Sequence, residues 1–192
     1  MEDFWLYLKL GFDHVLDWNA YDHVLFLTAL VASYTFQQSK KVIWLVTLFT
    51  IGHLVSLAVS AFGLIRVESS IIEFLIPVSI IFTAVYSIFT SGKPKGKINL
   101  LYFITFFFGL VHGFGFSNYF NMLAQGNDNP LFMLVEFALG IELAQIIVVF
   151  IVLLLGLIVQ NIFRFSKRDW ILVISSLVLG MTIPILVGNW IF

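Results

Sequence analysis

Long apolar runs separated by short polar segments make up most of this chain. A helix needs about 20 residues to cross the hydrocarbon core of a bilayer, and six of the runs are close to this length or longer. They cover residues 20–36, 42–63, 71–90, 98–118, 131–163 and 170–191. Because every connection between the runs is short, the pattern predicts a single domain over residues 1–192, an all-α bundle of six transmembrane helices.

The composition is that of a membrane protein. Apolar residues make up 60% of the chain and charged residues 11%, whereas a soluble domain carries about 25% charged residues. The lipid bilayer is therefore an expected partner. A net charge of −1 provides no basic surface, which argues against nucleic-acid binding. Because the chain contains no cysteine, a bound metal ion would have only nitrogen and oxygen ligands.

The basic residues fall mostly on one side of the predicted bundle. Only Lys9 and Arg66 lie on the other side. The positive-inside rule therefore predicts a multi-pass inner (plasma) membrane protein with both termini outside. The first, third and fifth loops contain Lys40, Lys41, Lys93, Lys95, Lys97, Arg164, Lys167 and Arg168.

The N-terminal segment 4–18 is too short to span a bilayer but is rich in aromatic residues, with Trp5 and Trp18 near its ends. Aromatic side chains are enriched where a membrane meets water. The segment therefore predicts an amphipathic helix in the outer interface. Such a helix would bring His14 to the outer surface.

Ionisable side chains occur in the middle and the outer half of the predicted spans. At a rise of about 1.5 Å per residue, His53, His112 and Glu142 lie near the midplane, and Asp22 and His23 lie about one turn inside the outer end of the first span. A charge at the bilayer centre costs about 2.5–3.5 kcal/mol, so such residues are expected to face partners inside the bundle.

One shared site is the simplest explanation of these depths. Three imidazoles with one or two carboxylates, and no thiolate, suit a divalent zinc, nickel or cobalt ion. The same groups without a metal ion could instead form a proton relay. Gln145 lies on the same helix face as Glu142 and could orient it or bond a histidine. Ser56 lies one turn from His53, and Glu136 could line an outer vestibule.

Simpler roles remain open for several of these residues. A lone histidine in a membrane helix is often only a packing group, and His14 could be solvated at the interface. Asp22 could interact favourably with the N-terminal end of its own helix. Adjacent residues point about 100° apart on a helix, so we expect His23 to be the ligand and Asp22 to orient it.

Five motifs together resemble those of the HupE/UreJ family of hydrogenase and urease accessory membrane proteins. The resemblance implies six spans and a role as a nickel or related metal permease, with metal-recognition residues at Asp22, His23 and Glu142, and Glu136 as a poorer match for the glutamate. In the family motif five residues lie between a histidine and the Asp-His pair, whereas here seven residues lie between His14 and Asp22 and the matching position is Leu16. The motifs are Gly11-Phe-Asp-His14, Tyr21-Asp-His-Val-Leu-Phe-Leu27, Phe49-Thr-Ile-Gly-His53, His112-Gly-Phe-Gly-Phe116 and Gly140-Ile-Glu-Leu-Ala-Gln145.

Two main functions are compatible with such a site. The first is a nickel, cobalt or zinc permease whose site opens to the outer face. The alternative is an intramembrane zinc hydrolase, in which histidines hold the ion and Glu142 is the general base. In that case Ser56 or Ser117 could bond an oxyanion, although helix packing explains both hydroxyls more simply. In a third possibility, the metal ion only stabilises a sensor or accessory subunit.

Overall fold

The computed structural model describes residues 2–65, 67–91, 98–124 and 129–191. These residues are almost entirely helical, and no strand occurs among them. The all-α prediction is therefore confirmed. In chain order the elements are α1 (Glu2–Val15), α2 (Asp22–Val31), a 3-10 turn (Phe36–Gln38), α3 (Ser39–Ala61), α4 (Ser69–Thr90), α5 (Ile98–Ala124), α6 (Pro130–Asn161) and α7 (Lys167–Gly188).

Five of these helices, α3 to α7, are long and apolar enough to cross a membrane. They match five of the six predicted runs; the main difference is that α5 continues to Ala124, beyond the predicted end at residue 118. The first run, 20–36, contains only α2, whose 10 residues reach about 15 Å. That length is about half of the hydrocarbon core. The count of six spans and the outward orientation of both termini remain predictions.

Some of the polar connections lie outside the described residues. They include Arg66 and the three lysines of the third predicted loop, Lys93, Lys95 and Lys97. The fifth connection is described and ends in a capping box. The Ser166 hydroxyl accepts a hydrogen bond from the backbone N–H of Asp169, and the Asp169 carboxylate accepts one from the backbone N–H of Ser166. This reciprocal pair satisfies two N–H groups at the start of α7.

Helices α3 and α5 pack backbone to backbone through glycines. A Cβ atom added at Gly52 would lie 2.4 Å from the carbonyl oxygen of Phe106, and one added at Gly109 would lie 2.3 Å from that of Phe49. A Cβ atom added at Gly113 would be equally close to the carbonyl oxygen of His53. Small residues permit this close approach of membrane helices. The contact brings the middle of α3 against the middle of α5.

Helix α1 packs against α6 in the same way. A Cβ atom added at Gly11 would lie 2.0 Å from the carbonyl oxygen of Phe137, and one added at Gly140 would lie 2.0 Å from that of Leu8. Helix α1 is therefore docked on the bundle through its backbone. Its outward side is mixed, with the exposed side chains of Trp5 and Leu6 and an exposed ion pair of 3.0 Å between Lys9 and Asp13. The docking turns the opposite side of its last turn, with His14, towards the other helices.

Candidate metal centre

All four histidines of the chain lie together, although they come from four different helices. His14 is in the last turn of α1 and His23 is the second residue of α2, whereas His53 and His112 lie in the middle of α3 and α5. Three of the side chains are buried, with exposures of 3% for His23, 0% for His53 and 2% for His112. His14 is partly buried. The chain has no other histidine.

The imidazole rings are close neighbours. The centroid of the His14 ring lies 4.7 Å from that of His23 and 5.6 Å from that of His53. The His23 ring lies 5.8 Å from that of His53 and 4.9 Å from that of His112. The rings of His23, His53 and His112, which the sequence analysis assigned to one shared site, thus lie close together. His14 joins them, and we name the four side chains the histidine cluster.

Hydrogen bonds donated by Nδ1 determine the tautomer of two of the rings. Nδ1 of His112 lies 2.9 Å from the carbonyl oxygen of Phe108, and Nδ1 of His23 lies 3.1 Å from Oδ1 of Asp22. Because a carbonyl or carboxylate oxygen accepts hydrogen bonds, Nδ1 carries the hydrogen in both rings. The lone pair of each ring is then on Nε2, as in metal-binding histidines that donate their other N–H.

The Nε2 atoms of the histidine cluster have no hydrogen-bond partner. This holds within the described part of the chain for His14, His23, His53 and His112, and also for Nδ1 of His53; all these atoms are buried. An unsatisfied buried polar atom costs about 1–3 kcal/mol. A ligand that takes up the lone pairs would remove this cost.

The histidine cluster is not yet in the geometry of a bound ion. Over residues 2–65, 67–91, 98–124 and 129–191, no three His, Asp or Glu side chains are placed so that they could hold a metal ion as they stand. The ring centroids are nevertheless only 4.7–5.8 Å apart in four of the pairs. Metal binding at this point therefore remains a prediction.

Phenylalanine rings surround the histidine cluster. The His14 ring lies 4.1 Å from the ring of Phe116, and the His112 ring lies 5.2 Å from that of Phe49 and 5.7 Å from that of Phe26. Phe137 lies 6.4 Å from His53. These aromatic side chains exclude water, and a polar ligand in the cluster would interact mainly with the imidazoles.

His14 and His23 are the two members on helices outside the five long ones. Burial, and next the neighbouring His23, lower the pKa of His14 to about 3. The ring is therefore neutral at neutral pH. Neutral imidazole is the form that ligates a metal ion.

Glu142 makes its hydrogen bonds away from the imidazoles. The Thr47 hydroxyl donates to one carboxylate oxygen at 2.6 Å, and the Thr50 hydroxyl lies against the other. Oε1 of Gln145 lies 3.2 Å from the same Thr50 hydroxyl. Glu142 and Gln145 do share a face of α6, as predicted, but this face meets the threonines of α3.

Sequence reasoning missed these two threonines. Threonine is compatible with an apolar segment, so hydropathy does not distinguish it. The available signal was spacing, because Thr47, Thr50 and His53 follow one another at intervals of three residues and therefore lie along one side of α3. We name Thr47, Thr50, Glu142 and Gln145 the threonine-glutamate cluster.

The other predicted residues have local roles. The Ser56 hydroxyl donates to the backbone carbonyl of His53 at 2.9 Å, and the Ser117 hydroxyl donates to that of Phe114 at 2.7 Å. Ser56 therefore contacts the backbone, not the ring, of a cluster histidine. Glu136 is half-buried on α6, and its predicted place in an outer vestibule stays a prediction.

The fold and the histidine cluster define a class of protein, a helical membrane protein with a buried group of imidazoles between its helices. The chain matches the family model described as HupE / UreJ protein over residues 1–189. It therefore belongs to the HupE/UreJ family, and the resemblance found in the sequence motifs is confirmed. This is a family of membrane proteins linked to the handling of nickel and cobalt. No curated protein and no solved structure matches the chain.

Proposed function

We propose that this protein transports a divalent transition-metal ion across the plasma membrane, and that the histidine cluster is its binding site, open to the outer face. One observation carries the proposal. Every histidine of the chain packs into one buried group, with ring centroids 4.7–5.8 Å apart in the four adjacent pairs. Imidazole nitrogens are good ligands for zinc, cobalt and nickel.

In this proposal His14, His23, His53 and His112 are the ligands. Asp22 is a positioning residue, because its carboxylate already accepts hydrogen bonds from both the backbone N–H and the ring Nδ1 of His23. Such a carboxylate contact fixes the orientation of a ligating histidine and raises its basicity. The carbonyl of Phe108 does the same for His112.

The threonine-glutamate cluster provides the next polar groups along the route. Thr50 and Thr47 precede His53 by one and two turns of α3, so each step corresponds to about 4.5 Å along the helix axis. An ion that leaves the histidine cluster along α3, in the direction of its first residue Ser39, would next meet the hydroxyl of Thr50 and the carboxylate of Glu142. Oxygen ligands bind these ions more weakly than imidazole does, and weak successive sites favour release.

Uptake of metal ions into proteoliposomes tests the proposal. Wild-type protein should carry at least one of nickel, cobalt or zinc to a fluorescent chelator inside the vesicle. His53→Ala and His112→Ala should abolish uptake, because each removes a ligand. Asn161→Ala is a suitable control, since this exposed side chain at the end of α6 donates, among the described residues, only to the carbonyl of Leu157 on its own helix. If the wild type carries none of the three ions, the transport proposal is wrong.

No comparable contact among the described residues supports the hydrolase alternative. Both oxygens of Glu142, its expected general base, contact threonine hydroxyls. Ser56 and Ser117, its expected oxyanion donors, bond to backbone carbonyls of their own helices. These contacts support the packing interpretation of both serines, so transport is the function we propose.

A further inference from the structure

Two pairs of stacked phenylalanine rings border the histidine cluster. The rings of Phe116 and Phe137 have centroids 5.0 Å apart and planes that differ by 9°. The rings of Phe26 and Phe49 have centroids 5.1 Å apart and planes that differ by 29°. We name them the outer pair and the inner pair, because the predicted orientation of the helices places the first towards the outer face and the second towards the inner face.

The outer pair lies on the outer side of the imidazoles. Phe116 follows His112 by four residues, which places it about 6 Å nearer to the predicted outer end of α5. Its ring lies 4.1 Å from the ring of His14. The ring of Phe137 is fully buried and lies 6.4 Å from that of His53. The two rings therefore cover the histidine cluster on this side.

The inner pair lies on the opposite side of the imidazoles. Phe49 precedes His53 by four residues and is about 6 Å nearer to the predicted inner end of α3. Phe26 follows His23 by three residues and is about 4.5 Å nearer to the predicted inner end of α2. Both phenylalanine side chains are fully buried. The ring of Phe49 lies 5.8 Å from that of His23 and 5.2 Å from that of His112, so aromatic rings cover the cluster on this side as well.

Both pairs obstruct a hydrated cation. A phenyl ring has no lone pair with which to replace the water ligands of a divalent ion, and apolar constrictions close pores by excluding water. The transported ion must nevertheless reach the buried imidazoles from one face of the membrane and leave towards the other. Each pair must therefore separate at one stage of transport, while the other pair keeps the route closed.

The local sequence of α5 favours such a movement of the outer pair. Gly115 immediately precedes Phe116, and glycine gives the backbone more freedom than any residue with a side chain. Gly115 also lies beyond Gly113, where α5 is held against the backbone of α3. A bend of α5 at Gly115 would move the half-buried ring of Phe116 away from Phe137 and leave His112 in place.

Resting on the transport proposal above, we infer that the outer pair and the inner pair are the two gates of the histidine cluster, which open alternately to the two faces of the membrane. The structure corresponds to the state in which both gates are closed. The inner gate leads to the threonine-glutamate cluster, because Thr50 directly follows Phe49 on α3. Alternate opening around a fixed site moves a substrate across a membrane without a continuous pore.

Thiol labelling from each side of the membrane tests the gates without any metal ion. The chain contains no cysteine, so His53→Cys introduces a single thiol between the two pairs. His112→Cys provides a second labelling position, so the test does not depend on the folding of one variant. The probe is a membrane-impermeant, cationic methanethiosulfonate, applied to right-side-out and to inside-out membrane vesicles that contain the whole chain.

Loss of one ring should speed the labelling from one side only. Phe116→Ala should raise the rate from the outer face by about 2–10-fold, the change in the open fraction that corresponds to the loss of one aromatic pair. Phe26→Ala should raise the rate from the inner face by a similar factor. Each variant should leave the rate from the opposite face unchanged. Phe103→Ala is the matched control, because Phe103 is also on α5 but is 66% exposed, and it should alter neither rate.

A substitution that only loosens the bundle would speed labelling from both faces. Equal acceleration from both faces, or no acceleration from either, would therefore overturn the assignment of the two gates.

A second measurement retains all four histidines. Phe116→Ala and Phe26→Ala combined in one chain should let nickel, cobalt or zinc ions leak into vesicles without saturation, whereas each single variant should retain saturable uptake. Saturable uptake by the double variant at the wild-type rate would contradict the gates and leave the transport proposal in place. Absence of uptake by the wild type would refute the transport proposal separately, because the labelling rates do not depend on a metal ion.

Discussion

Substitution of Gly109 by alanine should disrupt the histidine cluster without changing any of its side chains. Gly109 lies where α5 touches α3, and an added Cβ atom would be 2.3 Å from the carbonyl oxygen of Phe49. Carbon and oxygen atoms in contact are usually at least about 3.3 Å apart. The two helices must therefore separate locally by about 1 Å, and this changes the position of His112 relative to His53.

The size of the effect follows from the same contact. Overpacking of a tight interface costs about 1–3 kcal/mol, which corresponds to a fall in Tm of a few degrees for a chain of this size. Gly109→Ala should weaken metal binding more than it weakens folding, because the displaced helix α5 also carries the proposed ligand His112. The assay is thermal unfolding in detergent with and without Co²⁺. We expect a lower Tm in both conditions and a smaller stabilisation by the metal ion.

Gly180→Ala is the matched control. Gly180 lies within α7, and no other described residue beyond its chain neighbours and the nearby backbone of α7 is within 4 Å of the position that its Cβ would occupy. Alanine is favoured over glycine in a helix by about 1 kcal/mol, so this variant should be as stable as the wild type or slightly more stable. Equal Tm values and equal metal stabilisation for Gly109→Ala and Gly180→Ala would refute the claim that the glycine contact between α3 and α5 sets the spacing of the histidines.

Three further predictions concern contacts around the two clusters. Asp22→Ala should lower Co²⁺ affinity by about 10–100-fold because the ring of His23 loses its orienting acceptor. Asp22→Asn keeps an acceptor oxygen and should lower the affinity less. Equal losses of affinity for the two variants in competition titrations would contradict the positioning role of Asp22. Thr50→Val should slow uptake into proteoliposomes but preserve equilibrium Co²⁺ binding. Thr182→Val removes a buried hydroxyl that donates to the carbonyl of Val178 on its own helix, and this variant should transport normally. Gly140→Ala should displace α1, since the added Cβ would lie 2.0 Å from the carbonyl oxygen of Leu8. The Co²⁺ spectrum of this variant should match that of His14→Ala. An unchanged spectrum would argue against the docking of α1 on α6 as the means of placing His14.

The length of the apolar runs was sufficient to locate most of the helices. The run 71–90 corresponds to α4 at Ser69–Thr90, and the run 131–163 to α6 at Pro130–Asn161. The first run, 20–36, corresponds to a regular α-helix over only 10 residues, because hydropathy measures the transfer of side chains and does not show where the backbone leaves the helix. Helix α2 ends at Val31 although apolar residues continue beyond it.

Depth in the membrane identified much of the histidine cluster before its geometry was known. His53 and His112 were expected near the midplane and His23 nearer the outer end of its span, all three in one shared site, and the ring of His23 lies 5.8 Å from that of His53 and 4.9 Å from that of His112. Depth does not specify which neighbouring helix a side chain faces, and for this reason Glu142 was expected beside the imidazoles although it bonds Thr47 and Thr50. The docking of His14 could not be predicted from depth at all, because it depends on a backbone contact between α1 and α6.

An anomalous difference map from crystals grown with Co²⁺ would test the central claim most directly. The account predicts one strong peak among the four imidazoles, about 2.0–2.1 Å from Nε2 of His14, His23, His53 and His112. A map with its only peaks elsewhere, such as between Glu142 and the threonines, would contradict the assignment of the histidine cluster as the metal site.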